Sequence, residues 1–207
     1  MDSKQSGDPR PGEARPLYLS GTNHTSVKII IAGSLGAGKT TLVRSVSEIE
    51  PRNTEEVMTS AGALVDDLSG IEGKNTTTVA IDFGRKTLPG DIVLYLFGTP
   101  GQQRFLTMWQ DIAHGALGAL VLLDTRRLEA GFEAMDRVEE SGLPYAVAVN
   151  CFDGAPDYPV TVLRDHLDLH ADTPLVRVDA RQYTSSVDAL IALLSHLIAH
   201  NALDGAR

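Results

Sequence analysis

The segment GSLGAGKT, Gly33 to Thr40, constrains this chain more than any other feature of its sequence. It directly follows a β-branched run and opens a helix-like stretch, which places it at a helix N-terminus. Its glycines let successive backbone N–H groups curl around a phosphate there. Lys39 is expected to bridge the outer phosphates, and the Thr40 hydroxyl to ligate Mg²⁺. A glycine-rich turn that binds nothing is the alternative, which this context disfavours. The expected phosphate-binding residues are Gly33, Ser34, Leu35, Gly36, Ala37, Gly38, Lys39, Thr40 and Thr41.

Apolar runs alternate with helix-like stretches along the rest of the chain. Continuous runs at 27–33, 118–124, 145–150 and 174–180 indicate buried strands. TTVAIDFGRKT and DIVLYLFG flank the turn signal LPGD, which indicates an antiparallel hairpin, and SVDALIALLSHLIAHNAL has the apolar spacing of a closing helix. The pattern predicts an α/β fold with helices on both faces of a sheet of about six strands, mostly parallel with one antiparallel edge strand.

Length and charge limit the classes of protein that fit. The 207 residues suit one domain, which we expect over 24–207, after a flexible tail at 1–23 that is rich in Pro, Gly, Ser and charge. The net charge of −9 repels nucleic acid and anionic lipid, so polyphosphate needs a local cationic pocket. One cysteine excludes an internal disulfide, and no apolar run reaches the ~20 residues of a membrane span. We therefore expect a cytoplasmic protein that reaches membranes only through partners.

Five short motifs carry a family resemblance. GSLGAGKT, TVAIDFG, GTPGQQRF, NCFD and DAR occur in the order and spacing of the nucleotide-binding motifs of Ras-like small GTPases. GTPGQ, LLDTRRLE and VNCFDGAP resemble more closely the small G proteins of bacterial conservon operons, and more distantly the bacterial polarity GTPase. The resemblance implies a P-loop NTPase G domain that binds GTP and GDP with Mg²⁺. It also implies two partners, a roadblock-fold protein and a sensor-kinase-like protein, in a signalling system.

The base-reading residues of Ras-like proteins have counterparts in two loops. NCFD matches N-K-x-D, whose aspartate accepts hydrogen bonds from the N1–H and N2 amine of guanine, donors that adenine lacks; the resemblance assigns this role to Asp153. Cys151 stands in place of a lysine that covers the base, and Ala180 matches the residue whose backbone N–H meets the guanine O6. An ordinary polar loop is the alternative for NCFD alone. The expected base-binding residues are Asn150, Cys151, Asp153, Ala180 and Arg181.

Three residues match the groups that face the γ-phosphate in Ras-like proteins. Thr78 stands where a threonine joins the magnesium shell with triphosphate bound, and the adjacent threonines leave that register open by a residue or two. Gly101 matches the glycine whose N–H reaches the γ-phosphate, and Gln102 the glutamine that orients the attacking water. A threonine-rich strand edge and a surface glutamine are the alternatives. The resemblance implies catalytic roles for Gln102, Gly101 and Lys39, metal roles for Thr40 and Thr78, and a mobile switch segment at 59–75.

The sequence departs from the Ras-like pattern near the phosphates. Gly98 replaces the aspartate that holds Mg²⁺ through an ordered water, and Asp82 and Asp124, near strand ends, are candidate substitutes or plain strand-end carboxylates. Two residues suggest slow turnover. The Leu35 side chain would project toward the space used by Gln102, and Pro100 removes an N–H and fixes φ beside the phosphate sensor.

The function that we expect is a guanine-nucleotide switch with slow GTPase activity that a partner stimulates. A non-hydrolysing nucleotide-holding scaffold is the second hypothesis, and a P-loop ATPase or kinase is the third. A basic lid segment, which the third hypothesis needs, is not evident in the sequence.

Overall fold

The computed structural model describes residues 24–50, 52–57, 78–100 and 109–204. The expected tail at 1–23 and the expected switch segment at 59–75 lie outside this part of the chain. The elements in chain order are β1 (Thr25–Gly33), α1 (Lys39–Val46), β2 (Arg52–Val57), β3 (Thr78–Leu88), β4 (Ile92–Gly98), α2 (Trp109–Ala113), β5 (Gly118–Asp124), a 3-10 helix (Thr125–Gly131), α3 (Phe132–Glu140), β6 (Tyr145–Asn150), α4 (Val160–His166), β7 (Leu175–Val178) and α5 (Tyr183–Asp204).

The described strands form one sheet in the order β2-β3-β4-β1-β5-β6-β7. The mostly parallel α/β fold with one antiparallel strand is confirmed: β1 pairs in parallel with β4 and β5, while β3 runs antiparallel to both β2 and β4. Two details differ from the prediction, since the sheet has seven strands and the antiparallel strand is not at its edge. Both differences arise from β2, which pairs with β3 and takes the edge position in the sheet. Its polar sequence RNTEEV gives no apolar signal, so the sequence does not predict this strand.

Helices cover both faces of the sheet, and β1 shows how the core is divided. Ile29 and Ile31 pack into one buried cluster with side chains of α1 and α5. Ile30 points to the other face, into a cluster with side chains of α2 and α3. This alternation is the two-residue period of a strand that is buried on both sides. Each isoleucine removed from water contributes about 1.5–3 kcal/mol, so β1 is a firm support for the loop that follows it.

The carboxyl ends of five strands meet at one edge of the sheet. Ile31 on β1 is in register with Gly98 on β4, and Asn150 on β6 is in register with Asp124 on β5 and Val178 on β7. The motifs singled out in the sequence follow these strand ends, so the topology brings them together. Among the described helices, none has the length and apolarity needed to cross a bilayer.

Candidate nucleotide-binding site

The phosphate loop (Gly33–Thr40) joins the end of β1 to the start of α1. Gly36 and Gly38 have φ angles of +78° and +106°, in the left-handed region that favours glycine. Gly38 is the residue before α1, so the loop ends at a helix N-terminus, where backbone N–H groups and the helix dipole favour an anion. The local structure is therefore the glycine-rich strand-to-helix turn that the sequence predicts, and its use as a phosphate cradle stays a prediction.

Lys39 is buried inside the curve of the phosphate loop. Its ammonium Nζ donates to the carbonyl oxygens of Gly33 and Ser34, both at 2.8 Å, and the residue is 7% exposed. Burial lowers the pKa of Lys39 to about 8, and the negative charge of Asp82 opposes part of that shift. The two carbonyl contacts hold a cation at the position where the outer phosphates of a nucleotide are expected.

Asp82 supplies a carboxylate to the first turn of α1. The Thr40 hydroxyl donates to Asp82 Oδ2 at 2.5 Å, although Asp82 lies on β3, two strands away from β1. Asp82 is in register with Gly98 on β4. A Cβ at Gly98 would lie 2.9 Å from the Asp82 Cβ, so the Asp82 side chain fills the space beside the glycine. Of the two candidate carboxylates, Asp82 is the one that reaches Thr40.

Asp124, unlike Asp82, makes its contacts with the 3-10 helix that follows β5. Its buried side chain accepts from the backbone N–H of Arg126 at 3.0 Å and from two guanidinium nitrogens of the same residue at 2.9 and 2.8 Å. These hydrogen bonds hold the pKa of the Asp124 carboxyl below its usual range. Asp124 is thus the N-cap of the 3-10 helix, and its oxygens are already engaged there.

Arg127 reaches back to the phosphate loop from the 3-10 helix. Its Nη2 donates to the Leu35 carbonyl at 2.9 Å, and a Cβ at Gly36 would lie 3.1 Å from the same nitrogen. The backbone of Arg127 leaves the helical region, with φ −150° and ψ 56°. The sequence does not predict this contact, and its one local signal is the arginine pair in LLDTRRLE after a buried strand.

Asn150 joins the phosphate loop to the base loops. Its Nδ2 donates to the Ala37 carbonyl at 2.9 Å, and its Oδ1 accepts from the Ala180 N–H at 3.1 Å. The approach is close, because a Cβ at Gly38 would lie 2.3 Å from Asn150 Nδ2. One buried amide therefore fixes the distance between the expected phosphate and base pockets.

Asp153 lies in the loop after β6, where its carboxylate is paired with Arg181. Arg181 Nη1 and Nη2 donate to the two oxygens of Asp153 at 3.0 and 3.2 Å, and Nε and Nη2 donate to the two oxygens of Asp179 at 2.9 and 3.0 Å. Hydrogen bonds from Arg181 lower the pKa of both carboxyls, and the two carboxylates raise the pKa of the guanidinium. Asp179, in the loop after β7, is a further member of this ion-pair cluster that no sequence motif singles out.

The residues between Asn150 and Asp153 also differ from the expected pattern. Cys151 is exposed, and its N–H donates to the Val178 carbonyl at 2.7 Å. The Arg126 guanidinium lies 3.8 Å from the centre of the Phe152 ring. This cation–π contact joins the loop after β6 to the 3-10 helix.

The structure brings together most of the residues expected to form the site. The phosphate loop, Asn150, Ala180, Asp153 and Arg181 form one connected set of contacts at the carboxyl edge of the sheet. Thr78 is the first residue of β3, and its side chain is outside the described part of the chain. Gly101 and Gln102 also lie outside the described residues.

Comparison with known sequences assigns the chain to a family. The model of the family described as "Conserved hypothetical ATP binding protein" matches residues 31–200. The chain belongs to this family. An uncharacterized protein of Methanocaldococcus jannaschii is 33% identical over 129 residues, which cover 61% of this chain and 71% of that relative. The mouse Ras-related protein Rab-7b is 27% identical over 187 residues, 83% of this chain and 82% of the relative.

Solved structures show the same fold. The cytosolic domain of the T. maritima FeoB iron transporter, in a GDP form, matches with a TM-score of 0.62 at 16% identity over 85% of this chain. The chain spans 65% of that FeoB domain, less than two thirds of its length. The isolated FeoB G domain matches over 99% of its length, with a TM-score of 0.57 at 17% identity. The fold of this family member is therefore the G-domain form of the P-loop NTPase fold, which binds nucleotides.

Proposed function

We propose that this protein is a guanine-nucleotide switch that binds GTP and GDP with Mg²⁺ and hydrolyses GTP slowly. The observation that carries the proposal is the position of the Asn150 amide. This amide bonds the phosphate loop at Ala37 and the loop after β7 at Ala180. This contact couples the phosphate cradle to the loop after β7, where Arg181 pairs with Asp153, a carboxylate suited to guanine in the loop after β6. The similarity to Ras-related Rab-7b supports the same class of protein.

The residues of the phosphate pocket fit Mg²⁺. Magnesium prefers oxygen ligands in octahedral geometry and is held by one or two protein groups together with nucleotide phosphates. Thr40 and Asp82 offer a hydroxyl and a carboxylate 2.5 Å apart at the start of α1, and Thr78 is the proposed third protein ligand. No group of three or more His, Cys, Asp or Glu in the described ranges forms a separate metal site. When bound, Mg²⁺ would neutralise charge on the β- and γ-phosphate oxygens.

The proposed reaction is in-line attack of water on the γ-phosphate, with catalysis by positioning and by charge stabilisation. Lys39 supplies the cation beside the outer phosphates, the Gly101 N–H binds the γ-phosphate, and Gln102 orients the water. Leu35, which is 59% exposed at the mouth of the phosphate loop, crowds the space in front of the γ-phosphate and so slows the intrinsic reaction. Such a switch needs stimulation by a partner to turn over quickly.

The partners proposed for this switch follow from its resemblance to conservon G proteins. They are a roadblock-fold protein and a sensor-kinase-like protein, and they would recruit a cytoplasmic G protein to the membrane in a signalling system. The family description names ATP, which makes an ATP-binding protein the second candidate. The Asp153 carboxylate favours guanine, because adenine presents no paired donors to it.

The decisive experiment is to identify the nucleotide released when freshly purified protein is denatured. We expect GDP or GTP, and ADP or ATP would overturn the guanine assignment. Single-turnover hydrolysis of bound GTP separates a GTPase from a non-hydrolysing scaffold, since a scaffold releases no phosphate above the blank. In the GTPase, Gln102→Leu should slow phosphate release while leaving GDP affinity intact.

A further inference from the structure

Arg181, in the loop after β7, is paired with Asp153, the residue that is expected to recognise the base. Arg181 presents its Nη1–Nη2 edge to Asp153, with a bond to each carboxylate oxygen. Guanine presents a chemically equivalent edge, because its N1–H, C2 and N2 amine form a guanidine fragment with two parallel donors. Arg181 and guanine therefore offer the same donor pattern to the same acceptor. Adenine has no such edge.

We propose that Arg181 sets the base selectivity of this pocket by competing with guanine for Asp153. The proposal rests on the nucleotide site described above. Guanine must displace the guanidinium before it can use the carboxylate, so its apparent affinity falls with the fraction of protein in which the pair is formed. A base without paired donors leaves the pair in place and bears no such cost.

Asp179 makes the arrangement reversible. It holds the Nε–Nη2 edge of Arg181, and its oxygens also accept from the Arg181 backbone N–H at 3.0 Å. Arg181 can therefore leave Asp153 without losing its second carboxylate. The Asp179 N–H is itself bonded to Ser185 Oγ at 2.9 Å, at the start of α5, which anchors this support to the fold.

A second group in the pocket is engaged in the same way. The Ala180 N–H, which the resemblance assigns to the guanine O6, donates to Asn150 Oδ1. Two of the contacts by which guanine would be recognised are thus satisfied within the protein. Both observations lower the advantage of guanine over adenine, in line with a family whose description names ATP.

The test is a competition experiment with intact protein. GDP and ADP are each titrated against a fluorescent N-methylanthraniloyl-GDP in wild type, Arg181→Ala and Arg181→Lys. Arg177→Ala is the matched control, since it removes another half-exposed arginine, whose partners are the Asp157 carboxylate and the Tyr158 carbonyl. Arg181 is 53% exposed and Asp153 86% exposed, and exposed pairs are weak. The expected gain in GDP affinity for Arg181→Ala is therefore about three- to fivefold.

The proposal requires that ADP affinity stays unchanged or falls in Arg181→Ala, so that the GDP/ADP ratio rises. Arg181→Lys, which lacks the planar fork, should lie between wild type and the alanine variant. Salt should raise the wild-type ratio toward that of Arg181→Ala, because salt screens the exposed pair and phosphate effects cancel in the ratio.

Other outcomes distinguish failure of the Arg181 competition from failure of the proposed guanine-nucleotide function. Weaker GDP binding by Arg181→Ala, or an equal gain for GDP and ADP, would overturn the competition while leaving the guanine switch intact. An equal gain in Arg177→Ala would assign the effect to net charge and would also overturn it. Failure of every form to bind GDP would reject the proposed function, and the competition with it.

Discussion

Asp82 on β3 and Gly98 on β4 face each other across an antiparallel strand pair. The Asp82 side chain fills the space that a side chain at position 98 would need. A Cβ at Gly98 would lie 2.9 Å from the Asp82 Cβ and 3.0 Å from its Oδ2. The same Oδ2 accepts from the Thr40 hydroxyl. A carboxylate on β3 thus reaches Thr40 where β4 carries a glycine. We therefore expect ordinary Mg²⁺ dependence, although Gly98 lacks the aspartate of the Ras-like pattern.

Asp82→Asn should weaken the coupling of nucleotide binding to Mg²⁺. Groups that hold a metal through its ligands or waters typically contribute ~10–100-fold to metal affinity, and the amide loses the negative charge. Release of labelled GDP from wild type should accelerate on adding EDTA, and the variant should respond far less. An EDTA response in Asp82→Asn as large as that of wild type would remove Asp82 from the metal site.

The exchange of the two residues is a sharper version of this test. Gly98→Asp alone should not improve Mg²⁺ binding, because its Cβ would overlap with Asp82 and place two carboxylates together. The double variant Asp82→Gly, Gly98→Asp removes the overlap and should recover at least part of the EDTA response. If the single variant is stable and binds Mg²⁺ more tightly than wild type, the two side chains do not share this space.

Lys39→Ala should lower nucleotide affinity at least about tenfold, because a charge-assisted contact to phosphate contributes ~1.5–3 kcal/mol. Lys28→Ala is the control, since Lys28 also donates to a backbone carbonyl, that of His114 at 2.8 Å, but lies outside the phosphate loop. Calorimetry with GDP measures both variants. Equal affinities for Lys39→Ala and wild type would contradict the assignment of the phosphate pocket.

Arg127→Ala should loosen the phosphate loop, because it removes the donor to the Leu35 carbonyl. The side chain is 54% exposed, so we expect only about a two- to fivefold increase in the rate of GDP release. Arg126→Ala is the control, since Arg126 shares the partner Asp124 and has no bond to the loop among its described contacts. Equal acceleration in both variants would indicate that the effect comes from Asp124 instead.

Asn150→Ala should destabilise the whole protein as well as the site. The buried Ala37 carbonyl and Ala180 N–H would both lose their partner, and a buried group left unsatisfied costs ~1–3 kcal/mol. We expect a loss of about 2–4 kcal/mol in the free energy of unfolding, measured with denaturant in the absence of nucleotide. Asn150→Asp keeps the acceptor for Ala180 but places a buried carboxylate oxygen against the Ala37 carbonyl, so it should be no more stable than Asn150→Ala. A loss below about 0.5 kcal/mol in Asn150→Ala would show that the bridge adds little to stability.

Local patterns were sufficient to predict the α/β fold and the phosphate loop, because buried strands and a glycine-rich strand-to-helix turn have short-range signatures. Strand β2 escaped detection because it is held by backbone pairing along β3, which leaves no apolar period in RNTEEV. The helix α4 and the 3-10 helix were likewise not predicted from their short segments.

Pairings between distant residues were harder to predict than elements. Asp82 and Asp124 were equivalent candidates in the sequence, and they are distinguished by the bond from Thr40 to Asp82 and by the bonds that Arg126 makes to Asp124. The bonds from Arg127 to Leu35 and from Arg181 to Asp153 join residues far apart in the chain through flexible side chains, which no local pattern records.

The position of Asn150 in the chain has a consequence for synthesis of the protein. Its amide joins Ala37 to Ala180, groups contributed by the first and the last parts of the domain, and 113 residues separate Asn150 from Ala37. A nascent chain that has completed the phosphate loop therefore lacks the Asn150 bond to that loop until Asn150 is made, and Asn150 lacks its own second partner until Ala180 is made. Because a ligand that binds only the folded state stabilises it, nucleotide can capture the finished domain but not its unfinished precursors.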